Sequence, residues 1–238
     1  MDIDNPIIIG GVEPFSIVDF PNKIDAVIFL QGCPWRCPFC YNLSLQKIGN
    51  TNEADWSYEQ LKSFLAKRKK VLDAVVFSGG EPLLQDGLKH AIEDAKALGY
   101  EVGIHTGGYR PKMLESIVNK IDWVGLDIKA PLQADKYKIA TGCFENIENI
   151  KQSLTVLLNS KIKFECRTTC DPRILTTDDI YQIAKTLKDM GIKEYHLQKY
   201  RPIEADTTTT DEMCESIISN KDLIAFLQNS FETFDVRK

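Results

Sequence analysis

Gln31-Gly32-Cys33-Pro34-Trp35-Arg36-Cys37-Pro38-Phe39-Cys40-Tyr41-Asn42 directly continues an apolar run, residues 26–33, that reads as a β-strand. Within it, three cysteines stand at Cys-x3-Cys-x2-Cys spacing with two prolines between them. Each proline fixes φ and removes an amide donor, so the stretch is a stiff loop and not a helix or strand. Thiolates favour soft metals, and iron–sulfur clusters or zinc are the common cargo of such a set. Cys33, Cys37 and Cys40 would supply three ligands to a four-iron cluster. The next cysteine, Cys143, is far off in sequence, so one iron is expected to lack a protein ligand. An open position on a metal indicates chemistry, as it does for zinc. The alternatives are a zinc knuckle or three packed thiols. Zinc would want a fourth Cys or His close by, and the nearest histidine is His90.

Outward from the loop, further apolar runs at 74–80, 101–108, 123–130, 164–170 and 194–200 read as strands. Helix-like amphipathic stretches near 57–69, 84–98, 111–119, 146–160 and 177–190 separate them at βαβ spacing, so the strands are expected to be parallel. Gly99 and Gly191 sit where left-handed helix caps are expected. Six such strands predict an α/β fold, a partial (β/α)6 barrel with outer helices that is open on one side. One domain is expected over 1–238: the barrel at about 9–202, then a polar loop and C-terminal helix at 203–238. Ligand sites in such folds gather at the C-terminal strand ends.

The unusual residues fall at those ends. Strand two closes on Ser78-Gly79-Gly80-Glu81-Pro82. Its two glycines let the backbone approach a ligand, and its carbonyls or Glu81 could accept from an ammonium; a plain strand-to-helix turn is the alternative. On strand four, Asp127 and Lys129 are two apart and share a face, either for a ligand or as a mutual ion pair. By the same alternation Arg167 and Thr169 face together. Arg167 could hold a carboxylate or a substrate carbonyl, or bridge to Glu165 or Asp127. Strand three ends in His105-Thr106-Gly107-Gly108, and on strand six Gln198, Tyr200 and His196 share a face. His196 more often packs than binds. Cys143, Cys166, Cys170 and Cys214 read as buried small hydrophobes.

The 238 residues carry a formal net charge of −5, which gives no reason to expect binding to nucleic acid or a membrane surface. The basic run Lys67-Arg68-Lys69-Lys70 reads as a solvated helix end. No stretch approaches a membrane span, and the acidic N-terminus lacks a signal-peptide pattern, so a cytoplasmic protein is expected. Seven cysteines in a reducing compartment point to metal binding or burial instead of disulfides.

The loop and its supporting motifs resemble the radical SAM superfamily, in which S-adenosylmethionine (SAM) chelates the open iron of a [4Fe–4S] cluster. The reduced cluster there cleaves SAM to methionine and a 5′-deoxyadenosyl radical. The resemblance implies that Phe39 lies near the adenine and that Ser78-Gly79-Gly80-Glu81-Pro82 binds the SAM amino group. It further implies that Lys129 of Asp127-x-Lys129 meets the SAM carboxylate. Glycyl-radical-enzyme activases commonly carry an aspartate at a monovalent-cation site where this chain has His105, a poor ligand for such an ion. The alternatives for His105 are a hydrogen bond to the ribose or carboxylate, or a cap on the strand, and Gln198 is a candidate adenine or ribose contact.

The lead-in Ser16-Ile17-Val18-Asp19-Phe20-Pro21-Asn22 is similar to that of the activases, with Asn22 replacing a glycine. Tyr41-Asn42, Asp127-Ile128-Lys129-Ala130-Pro131, Thr141-Gly142, Arg167-Thr168-Thr169 and Leu197-Gln198-Lys199-Tyr200-Arg201-Pro202 resemble the branch that activates anaerobic ribonucleotide reductase. The implied partners are that glycyl radical enzyme and a low-potential donor such as flavodoxin or ferredoxin. A radical SAM enzyme for a small molecule, and a non-catalytic iron–sulfur or zinc module, are the alternatives.

Overall fold

Runs rich in Val, Ile, Leu and Phe become strands buried on both faces, as parallel strands covered by helices must be. The computed structural model describes residues 7–49, 56–143 and 147–238. In chain order its elements are β1 (Ile9–Ser16), β2 (Asp25–Leu30), α1 (Tyr58–Arg68), β3 (Ala74–Gly79), α2 (Leu88–Ala97), β4 (Glu101–Thr106), α3 (Pro111–Ile117), β5 (Trp123–Asp127), α4 (Ala134–Thr141), α5 (Ile147–Asn159), β6 (Lys163–Cys170), α6 (Thr177–Asp189), β7 (Glu194–Lys199), α7 (Asp211–Ile218), α8 (Lys221–Gln228) and β8 (Thr233–Arg237). The chain forms two compact units, one of Met1–Pro34, Asn42–Gly125 and Gln152–Lys163, the other of Trp35–Tyr41, Leu126–Lys151 and Phe164–Lys238.

In the first unit β2, β3 and β4 run parallel, with Asp25 beside Ala74 and Ala74 beside Glu101. β1 pairs antiparallel with β2 and is an edge strand that the six expected strands do not include. Phe20, Val27, Ala74, Val76 and Trp123 form a buried cluster. Asn22 adopts φ 60°, the left-handed region, which explains why an activase-like sequence has glycine there and why asparagine serves. Ser57 and Gln60 close a capping box on α1. That helix buries Tyr58, Leu61 and Leu65 on one stripe.

In the second unit β6, β7 and β8 run parallel, with Cys166 beside Tyr195 and Tyr195 beside Phe234. β8 corrects the expectation that 203–238 holds only a loop and a helix. The helix expected there is two, because Asn220 caps α8 through the Leu223 amide and stops α7. α4, also unexpected, buries Tyr137, Ala140 and Thr141 and ends at Gly142, φ 71°. β5 stops at Asp127, so Lys129 lies beyond the strand on which the sequence placed it.

Candidate active site

The first unit holds the start of the cysteine loop and the Gly-Gly turn. Gly32 N–H donates to Leu45 O at 2.8 Å, and the Gln31 amide donates to Ser44 O and Lys47 O. The turn after β3 comes as close as backbone allows: a Cβ on Gly80 would lie 2.2 Å from Gly32 O. Gly79, at φ 118°, would put its Cβ 2.2 Å from Leu30 N. Only glycine satisfies both positions.

Glu81 is buried and latches this turn to the end of β4. One oxygen accepts from Leu83 N–H at 3.1 Å and the Thr106 hydroxyl at 2.5 Å; the other accepts from Gly107 N–H at 2.9 Å. His105 Nε2–H donates to Asp19 O at 2.8 Å, and its ring meets Trp123 edge-on. Cys33 is buried at the unit's end of the loop, and Ser78, next to last in β3, lies beside Phe29.

The second unit holds the loop's remainder. Cys40 N–H donates to Cys37 O at 3.1 Å, a tight turn that carries both thiols. Arg36 N–H donates to Thr141 O at 2.6 Å, at the last residue of α4. The Lys129 ammonium sits 5.2 Å from the centre of the Trp35 ring and 5.8 Å from that of Phe39. It also lies 3.8 Å from Asp127 Oδ2. Arg167 donates to Asp127 Oδ1 from Nε at 2.9 Å and Nη2 at 2.8 Å, which settles its partner as Asp127 and not Glu165. Gln198 accepts from the Thr169 hydroxyl at 3.5 Å. Burial pushes the Cys37 thiol up to about 11, and the Lys129 ammonium pulls against that rise.

Sequence reasoning missed Tyr137, whose hydroxyl accepts from Lys129 N–H at 3.2 Å and sets the chain direction beyond β5. A buried tyrosine four residues before a Thr-Gly helix end was the available signal. Cys166, Cys170 and Cys214 are buried as expected, but Cys143 is partly exposed, next to the Thr141 that ties the loop.

Among the described residues, the three metal-ligating side chains gathered within 4.8 Å are Glu165, Glu194 and His196. Arg237 grips both Glu165 oxygens, at 2.5 and 2.8 Å, so that group is an ion-pair network. The thiols of the turn, with an ammonium beside them to balance anionic charge, fit an iron–sulfur cluster.

A family model described as the radical SAM superfamily matches residues 27–169. The chain belongs to the radical SAM superfamily. A protein of Methanocaldococcus jannaschii named as a glycyl-radical enzyme activating enzyme is 36% identical over 83% of this chain and 82% of its own length. The pyruvate formate-lyase-activating enzyme of Clostridium pasteurianum is 29% identical over 94% of this chain and 98% of its own. Streptococcus suis SuiB, solved with S-adenosylmethionine bound, superposes with a TM-score of 0.66 at 14% identity, covering 87% of this chain. The chain spans 48% of SuiB. The anSMEcpe structure with bound AdoMet gives a TM-score of 0.63 at 14% identity, over 86% of this chain and 61% of that one. These likenesses establish the α/β radical SAM fold. The chain is thus a radical SAM enzyme related to the glycyl-radical enzyme activases, a family that uses a [4Fe–4S] cluster and SAM. Among the described residues no helix is long and apolar enough to cross a membrane.

Proposed function

We propose that this radical SAM enzyme generates a glycyl radical on a partner protein, the anaerobic type of ribonucleotide reductase, with electrons from flavodoxin or ferredoxin. The observation that carries the reading is the likeness to an activating enzyme over 83% of the chain, joined to a cysteine turn built as described. When bound, a reduced cluster and SAM would supply the hydrogen-abstracting chemistry: one electron cleaves the sulfonium, methionine leaves, and the adenosyl fragment would take a Cα hydrogen from the partner's glycine.

The chain's own residues position and neutralise. Cys33, Cys37 and Cys40 would ligate the cluster. Gly79 and Gly80, having no Cβ, leave backbone open to the SAM amino group, while Glu81 fixes the turn from behind. Lys129 would meet the SAM carboxylate, its ammonium kept near by Asp127. Arg167 holds Asp127 in turn, so the aspartate does not swing to capture the lysine outright. Phe39 and Gln198 flank the nucleoside, and His105 braces the lead-in segment through Asp19.

The test is anaerobic reconstitution with iron and sulfide, then dithionite and SAM, assaying 5′-deoxyadenosine. Product is expected, and Cys37→Ala should abolish it. Adding the reductase should then give a glycyl-radical doublet by electron paramagnetic resonance. Deoxyadenosine without that doublet would redirect the enzyme to another substrate; no deoxyadenosine from a reducible cluster would overturn the catalytic reading.

A further inference from the structure

We propose that Arg173 is a positioning residue for the cysteine loop, clamping Pro38, which lies between Cys37 and Cys40, to the buried Asp171 and Asp206. The proposal rests on the reading that this loop holds the cluster.

Arg173 Nη2 donates to Pro38 O at 3.3 Å. The same guanidinium grips Asp171, through Nε at 3.0 Å and Nη2 at 2.6 Å, and reaches Asp206 Oδ2 from Nη1 at 2.8 Å. Nη2 also lies 2.9 Å from the Tyr200 hydroxyl, so its two N–H groups are shared among Asp171, Tyr200 and Pro38 O, and the guanidinium lies 4.9 Å from the Tyr200 ring's centre. The side chains of Asp171 and Asp206 are 0% and 1% exposed, against 27% for Arg173. Two desolvated carboxylates converging on one cation hold it more firmly than a surface pair could.

Asp206 is itself built into place. The segment around it has no regular structure, yet its Oδ1 accepts from Thr208 N–H, the Thr208 hydroxyl and Thr209 N–H at 3.0 to 3.2 Å. Its other oxygen accepts from the Tyr200 hydroxyl at 3.0 Å. The threonine-rich stretch thereby becomes the anvil of the clamp. Tyr41, just past Cys40, supplies a second hold: its ring stacks on Tyr200, and its hydroxyl accepts from Arg201 N–H at 2.8 Å. Pro38 O is thus fixed by a charged donor inside the Cys-x2-Cys turn, where small shifts of the thiols change the fit to a cluster. Lysine could pair with one carboxylate there but could not make the fork.

The decisive comparison is Arg173→Lys against Arg237→Lys, since both trade a fork on a buried carboxylate of this unit for an ammonium. In the metal-free chain, iodoacetamide labelling read by mass spectrometry should run roughly tenfold faster at Cys37 and Cys40 in Arg173→Lys, the loss of one charged hydrogen bond. Cys214 should label at the wild-type rate, and Arg237→Lys should leave Cys37 and Cys40 unchanged. In the reconstituted chain, iron release to a chelator should quicken by a similar factor only in Arg173→Lys. Should Arg173→Lys not fold, Asp206→Asn keeps the shape and is expected to shift both readouts the same way. Equal rates in the two lysine variants would overturn the clamp. A wild-type chain that takes up no cluster would overturn the reading beneath it, and the labelling arm would show that failure to be separate.

Discussion

Replacing Asp25 with asparagine should remove a pH-dependent cost from the fold. Asp25 opens β2 and is fully buried; Oδ1 accepts from Phe20 N–H at 3.2 Å, and Oδ2 has no partner among the described residues. Burial, and then the nearby Asp19 carboxylate, push its carboxyl from 3.8 up to about 7. The folded chain therefore binds this proton more tightly than the unfolded chain does. Stability from this group is complete below the unfolded value of 3.8 and is lost as pH rises through about 7. At 1.36 kcal/mol per pH unit, the gap between the two values amounts to about 4 kcal/mol once pH exceeds both. About 2 kcal/mol of this accrues between about pH 5.5 and about pH 8.5. Any water that reaches the carboxyl lowers both figures, which are ceilings.

Asparagine keeps the acceptor for Phe20 N–H and carries no charge, and its unpartnered amide adds a cost that does not change with pH. Urea denaturation of both proteins in the same buffers isolates the effect, because titrating groups not coupled to Asp25 cancel in the difference. The Asp25→Asn protein should gain about 2 kcal/mol on wild type from the lower pH to the higher. A difference that stays flat would refute the assignment of a buried, proton-holding Asp25.

Three further outcomes follow from the site. Glu81→Gln turns an amide NH2 towards donors that now meet a carboxylate, and should cost about 2–4 kcal/mol in chemical denaturation. Gly80→Ala needs the backbone at Gly32 O to move, and should cut iron bound per chain several-fold on reconstitution while far-UV circular dichroism is retained. Tyr137→Phe strips the fully buried tyrosine's acceptor from the part-buried Lys129 N–H and should lower stability by about 1 kcal/mol, with a matching drop in melting temperature.

Strands β2 to β7 were legible because each is a short apolar run; Gly79, Thr106 and Asp127 stand at strand ends, whereas Arg167 lies within β6. β1 and β8 were not, since an edge strand needs only one buried face: β1 contains Gly10, Gly11 and Pro14, and β8 only the weak alternation of Phe234 and Val236. Missing β8 had a consequence at the site. With Arg237 unplaced, Glu165 stood as a free carboxylate equal to Asp127 in its claim on Arg167. Once Arg237 occupies both Glu165 oxygens, Asp127 is the partner that remains. The two-residue alternation put Asp127 and Lys129 on one face correctly in kind, but the strand ends between them. Their separation of 3.8 Å is accordingly a loose ion pair and not a tight one.

The cysteine turn shows why a metal-binding loop can be read from sequence while its support cannot. Pro34 and Pro38 take away donors, so no ladder can hold the loop and its order must come from other segments. Those in its unit are Thr141 on Arg36, Lys129 over Trp35 and Phe39, Arg173 on Pro38, and Arg201 on Tyr41. Each contact joins positions far apart in the chain, and no local pattern announces it. The same contacts require only the folded unit, whereas a zinc finger takes its order from the metal itself. Much of the ordering cost of this turn is therefore met in folding, so binding energy from a cluster can hold its thiols instead of organising the loop.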